Sequence, residues 1–134
     1  MRELTSHVVN PVNDQLTITV MDEPGSGGAN HRYDITGFDT ENNPSASAGS
    51  FGKCSFSRTI LLFQNGPFNE VGVNGTTHEA LLAVLIDRLQ GFQRGPYRSA
   101  DNQIALDYLS AARGALHKRT RERMQRGVEG THTV

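Results

Sequence analysis

The sequence predicts an α+β fold: an antiparallel sheet of about four to six strands followed by a C-terminal antiparallel helical hairpin. Three observations carry this. Apolar residues alternate with period two in short runs of the first half. They recur at helical spacing between Leu81 and Leu116. Only the short break at Gly95-Pro96 divides that helical stretch, as in an antiparallel helix pair. Strands first and helices after place the helices against one sheet. A length of 134 residues suits a single domain, with the sheet in about residues 1–74, the hairpin in about 75–127 and a tail in 128–134.

Each element has its own warrant. Residues 15–21 alternate, with Leu16, Ile18 and Val20 on one face and Thr17 and Thr19 on the other. Residues 22–28 are a Pro/Gly-rich loop. Residues 31–38 read as a second strand with Tyr33 and Ile35 on one face, residues 39–52 as a long loop, and residues 54–63 as a third strand. Asn65-Gly66 is a hairpin signal, and Pro67 opens a fourth strand through Val73. Thr76 caps the first helix, with Glu79 three residues on completing a capping box. Leu82, Leu85, Ile86 and Leu89 form its buried stripe. Ser99 or Asp101 caps the second helix, and Gly127 ends it at the C′ position.

Composition narrows the function. The formal net charge is −1, so there is no global basic field for DNA or RNA. Charge is nevertheless uneven: Arg113, Lys118, Arg119, Arg121, Arg123 and Arg126 face the single acid Glu122 in that stretch. This asymmetry fits a small anionic ligand. A single cysteine, Cys54, excludes an intrachain disulfide and fits a reducing compartment. Neither a leader pattern nor a membrane-spanning apolar run is visible, which predicts a soluble protein in the cytoplasm. His7, His31, His78, His117 and His132 do not pair at metal-ligand spacing, so no metal and no cofactor is expected.

The candidate site starts from the second helix. Its apolar stripe reads Ile104, Ala105, Tyr108, Leu109, Ala112, Leu116, and the next positions at about 100° per residue are Arg119 and Arg123. Two guanidiniums ending a packing face point to an anion, and a flat bidentate acceptor such as phosphate suits Arg. The plain alternatives are a solvated helix end, which suffices for Lys118, Arg121 and Arg126, or acids on a partner subunit. Phe92 is either core or an aromatic plate for a base. Asn102 either caps its helix or reads a base edge. Tyr97 is a further plate candidate or a loop anchor. The Gly49-Ser50-Phe51-Gly52-Lys53 stretch fails as a phosphate loop, because its glycine spacing is wrong and no helix follows. Cys54 reads as a buried, inert strand residue.

At this point a family resemblance appears. Asn65-Gly66-Pro67, Glu70-Val71-Gly72-Val73-Asn74-Gly75, Glu79-Ala80-Leu81-Leu82-Ala83 and Gly91-Phe92-Gln93 with Gly95-Pro96 resemble the phage Thoeris anti-defence proteins of the first type. Asn102 with Ala105-Leu106, Arg119-Thr120, Arg123 and Arg126-Gly127-Val128-Glu129-Gly130-Thr131 extend the likeness. It covers roughly Phe38 to the C-terminus, and the hairpin also resembles that of the phage anti-CBASS sponge proteins. The chain departs at Tyr97-Arg98-Ser99, where the family carries Phe and then small residues.

The resemblance implies a sponge that captures glycocyclic ADP-ribose, the messenger of TIR-domain immunity, without degrading it. For members with larger assemblies it also implies cyclic di- and trinucleotides at separate sites. It implies that Phe92 and Arg119 sandwich the adenine, Arg123 meets the diphosphate and Asn102 bonds the ligand's polar edge, with Tyr97, Gln93 and Arg126 as further candidates. Nanomolar capture needs about −12 kcal/mol, more than one shallow site with two Arg supplies, so a homodimer or a hexamer (trimer of dimers) completing the pocket is expected. No catalytic residue is assigned. The rival readings are an enzyme that cleaves cyclic nucleotide signals, with His117 as the nearest base, and an adaptor whose basic helix binds an acidic protein.

Overall fold

The computed structural model describes residues 1–49 and 58–134. It is an α+β structure in which four strands precede two long helices, and it forms two compact units, Met1–Asn65 and Gly66–Val134.

The first unit is an antiparallel meander in the order β1-β2-β3-β4: β1 (Arg2–Leu4), β2 (Thr17–Val20), β3 (Arg32–Thr36) and β4 (Arg58–Leu62). The registers Val20↔Tyr33, Ile18↔Ile35 and Tyr33↔Leu61 gather the apolar residues on one face. Val20 is its most buried member, and Tyr33 meets Phe63 edge-on at 5.8 Å. On the opposite face Asp34 is almost fully buried, clamped by Arg32 Nε and Arg58 Nη1 at 3.0 Å each. The hydrogen-bonded Arg32 guanidinium holds the Asp34 carboxyl below its ordinary value; burial opposes this, and the charges of Arg32 and Arg58 reinforce it.

The short α1 (Pro11–Gln15) was not expected, although its signal is present. Asn10 accepts the Asn13 amide at 3.1 Å, and Pro11 takes the first helical position. The strand β1 also escapes a period-two reading, because three residues are too few to show alternation. Gly37 closes the approach to this region: at φ +96° a Cβ would lie 1.9 Å from the Gln15 carbonyl oxygen. The expected third strand is seen from Arg58 onward; residues 54–57, with Cys54, and residues 50–55 of the rejected phosphate loop lie outside the described residues.

The expected fourth strand at residues 67–73 is a correction. Phe68–Val71 is the short helix α2, and Asn65-Gly66 therefore makes no hairpin. Pro67, with φ −67°, suits a helix start as well as a strand start, Glu70 favours a first helical turn, and Gly72 at φ +76° ends it. The sheet still has four strands because β1 supplies the missing member.

In the second unit α3 (His78–Arg94) and α4 (Ala100–Gln125) form the expected hairpin. The cap of α3 is Thr77, which accepts the Ala80 amide at 3.1 Å, so the expected Thr76–Glu79 box is displaced by one residue and does not form. Ser99 caps α4 through the Asn102 amide at 3.0 Å. Gly127 ends α4 at φ +70° in a Schellman arrangement, with Gly127 N donating to Met124 O and Val128 N to Arg123 O.

The packing stripe of α4 is a correction in part. The half-buried residues are Asn102, Leu106, Leu109, Arg113, Leu116, His117, Thr120 and Arg123, so Leu109, Leu116 and Arg123 lie on the sheltered face as expected, whereas Ile104, Ala105, Tyr108, Ala112 and Arg119 are exposed. The sheltered face is rotated toward Leu106 and Arg113, a shift that a helical period alone does not fix. On α3 Ile86 is buried between half-buried Leu82 and Leu89, while Leu85, expected inside, is exposed.

Candidate functional site

The anion-binding candidates collect where α4 ends. A groove of about 480 Å³ is lined by Arg119, Glu122, Arg123, Gln125, Arg126 and Val134. Arg119 is exposed and makes no hydrogen bond or ion pair among the described residues. Arg126 donates from Nη2 to the Val134 carbonyl at 2.7 Å.

Arg123 is engaged far more heavily than a waiting cation. Its Nε donates to Glu129 Oε2 at 3.1 Å, Nη1 to Thr133 O at 2.5 Å, and Nη2 to Val128 O at 2.9 Å and Thr131 O at 3.3 Å. Four acceptors from the segment 128–134 thus surround one guanidinium, whose five N–H groups form a rigid fork. The segment is anchored on its other side as well. Asn69 donates its amide to Gly130 O and its side-chain Nδ2 to Glu129 O, both at 3.4 Å. Gly130 is buried against Phe68.

The base-reading candidates collect at the other end of the hairpin. Phe92 is half-buried, and the Arg88 guanidinium lies 5.0 Å over its ring. Gln93 accepts the Ser99 amide at 3.0 Å and donates to Ser99 O at 3.1 Å and Gln103 Oε1 at 3.3 Å, which makes it the staple of the interhelical loop. Asn102 donates from Nδ2 to Tyr97 O at 3.3 Å, leaving Oδ1 without a partner among the described residues. Tyr97 is 75% exposed.

The structure therefore brings the candidates together as two groups. Phe92, Gln93, Tyr97 and Asn102 adjoin the loop, and Arg119, Arg123 and Arg126 adjoin the end of α4. Asn102 and Arg119 lie on one continuous helix, so they stand roughly 26 Å apart along its axis at 1.5 Å per residue. One chain cannot close these two groups on one small ligand.

Two participants escaped the sequence reading. Arg88 precedes Phe92 by four residues, a helical neighbour spacing that was legible. Glu129 was quoted only within a motif, and no local pattern links it to Arg123. Among the described residues no three of His, Cys, Asp and Glu are grouped to hold a metal ion, and His117 is half-buried on α4. No helix of the structure is long and apolar enough to cross a membrane.

No family model matches the chain. It is similar to Thoeris anti-defense 1 of Bacillus phage SBSphiJ7, with 50% identity over 70 residues, 52% of this chain and 49% of the relative. The match thus spans about half the length of that curated relative. It supports the likeness to the Thoeris anti-defence family drawn from the residue blocks.

Proposed function

We propose, on the premise of this homology to a Thoeris anti-defence protein of phage, that the chain is a sponge. It binds glycocyclic ADP-ribose in the host cytoplasm without degrading it, so that the Thoeris effector is not activated. Two copies share each pocket. Phe92 and Asn102 of one copy and Arg119 of the other enclose the adenine, and Arg123 and Arg126 of that other copy receive the diphosphate.

The separation of the two groups along α4 carries this reading. A ligand with one π-face and two phosphates needs a plate, a polar edge and cations within a few ångströms of one another. A second copy in isologous arrangement supplies the missing half to each chain and yields two equivalent pockets. It would also cover apolar surface, since Val84, Leu85, Ile104 and Tyr108 on the two helices are all exposed. Desolvation between subunits strengthens charge-assisted bonds to phosphate. Arg119 then stacks on the adenine from the side opposite Phe92, and the open Asn102 Oδ1 accepts from the adenine amino group.

Subunit complementation tests the reading. Phe92→Ala and Arg119→Ala chains are each titrated with the messenger, then co-expressed and titrated as the mixed assembly. Each variant alone is expected to bind weakly. Each mixed pair regains one intact pocket, built from the unchanged Phe92 of one chain and the unchanged Arg119 of the other. A mixed assembly that binds no better than its parents would show that the pocket is not shared.

A further inference from the structure

We infer that Glu129 is a positioning residue, which fixes the guanidinium plane of Arg123 so that its two-nitrogen edge meets the ligand's diphosphate. The inference rests on the proposed role of Arg123 and adds a residue that the role depends on.

The geometry divides the partners of Arg123 into two kinds. Glu129 Oε2 holds Nε, the nitrogen at the stem side of the fork, at 3.1 Å, and both side chains are mostly shielded from solvent. Glu129 is itself held: the Schellman turn precedes it, its carbonyl accepts from Asn69, and the next residue, Gly130, is buried. It is therefore a fixed charge on a fixed backbone. The Nη atoms, in contrast, meet peptide carbonyls of Val128, Thr131 and Thr133. A phosphate oxygen is a charged acceptor and makes a stronger bond to guanidinium than a neutral carbonyl does. An incoming diphosphate can thus exchange with the exposed carbonyls of Thr131 and Thr133 while Nε stays on Glu129. Without that clamp, Arg123 would have to be ordered from many rotamers at the moment of binding.

Glu129 exerts two opposed effects on an anion. Its acceptor orients Arg123, and its negative charge offsets part of the cation. Glu129→Gln keeps an acceptor at the same place and removes the charge. Glu129→Ala removes both. The full chain and these two variants, each with and without Arg123→Ala, are titrated with glycocyclic ADP-ribose by calorimetry. Expected is binding within about threefold of the parent for Glu129→Gln and about tenfold weaker for Glu129→Ala, the order seen when a partner that orients a ligating group is lost. In the Arg123→Ala background Glu129→Ala is expected to cost nothing further, because its effect runs through Arg123.

The inference is overturned if Glu129→Ala binds like the parent, if Glu129→Gln is as weak as Glu129→Ala, or if Glu129→Ala adds its full loss to that of Arg123→Ala. The last outcome would mark a general structural role for the segment. A parent chain that does not bind the messenger at all would instead remove the sponge reading, and the inference with it.

Discussion

Arg88 and Phe92 are stacked, the guanidinium carbon 5.0 Å from the ring centroid and one helical turn away on α3. One face of the ring is thus covered by its own helix, and the proposed adenine stacks on the other. Removing Arg88 by Arg88→Ala forfeits an exposed cation–π pair worth about 0.5–1 kcal/mol and should leave affinity within about threefold. Phe92→Leu keeps an apolar side chain but loses the π-face, and should weaken messenger binding by about 1–3 kcal/mol in calorimetry. Full-strength binding by Phe92→Leu would reduce the ring to a packing residue.

Arg119 offers the sharpest separation of binding from stability. It is exposed and without a partner among the described residues, so Arg119→Lys should leave the melting temperature unchanged. An ammonium neither forks nor stacks, so the messenger should bind about tenfold more weakly. Equal affinity of the two proteins would assign Arg119 to bulk charge alone.

The sheet carries a pH prediction. Asp34 has its carboxyl held below the ordinary value by the hydrogen-bonded Arg32, against burial, with the charges of Arg32 and Arg58 assisting. A lowered folded value means that the unfolded chain takes up the proton first as pH falls. The stabilisation is therefore complete above the ordinary carboxylate value and is lost as pH drops through the lowered one. Thermal melts from pH 7 to pH 2 should show a fall in this acid limb that Asp34→Asn flattens, while lowering stability at pH 7. Parallel curves for the two proteins would contradict the clamp.

Gly130 and Gly127 make a matched pair for the segment that surrounds Arg123. Both have positive φ, but a Cβ at Gly130 would lie 2.6 Å from the Phe68 ring, whereas one at Gly127 meets nothing within 4 Å. Gly127→Ala should cost about 1–2 kcal/mol, from the left-handed backbone alone. Gly130→Ala should cost more in denaturant titrations and should also weaken messenger binding, because it displaces Glu129. Equal costs would mean that Phe68 yields without consequence.

A sponge returns what it binds. Messenger incubated with the protein and released by heat denaturation should be recovered chemically unaltered and in full, by chromatography. Altered nucleotide, lost on His117→Ala, would move the reading to an enzyme.

Much of the architecture was legible from local pattern. Period-two alternation located β2 and β3, Gly95-Pro96 and Gly127 marked where α3 and α4 each end, and the segregation of strands from helices announced the class. These features depend on residues close in sequence, where periodicity and backbone preference act directly. The residue blocks that resemble the Thoeris family were equally local, and the relative's identity supports them.

Tertiary structure decided the rest. Leu109 and Leu116 of α4 are sheltered as the period predicts, but Leu106 joins them in place of Ile104 and Tyr108, and only the presence of α3 makes that choice. Pro67 permits strand or helix, and α2 was chosen with Asn69 bonded to the segment 128–134 and Phe68 packed on Gly130. The partners of Arg123 and the distance between the plate and the cations follow from how the chain returns on itself. A sequence specifies which faces are apolar and which residues can turn the backbone; which face is buried, and which charge finds which acceptor, is settled by the competition for contact once the elements meet.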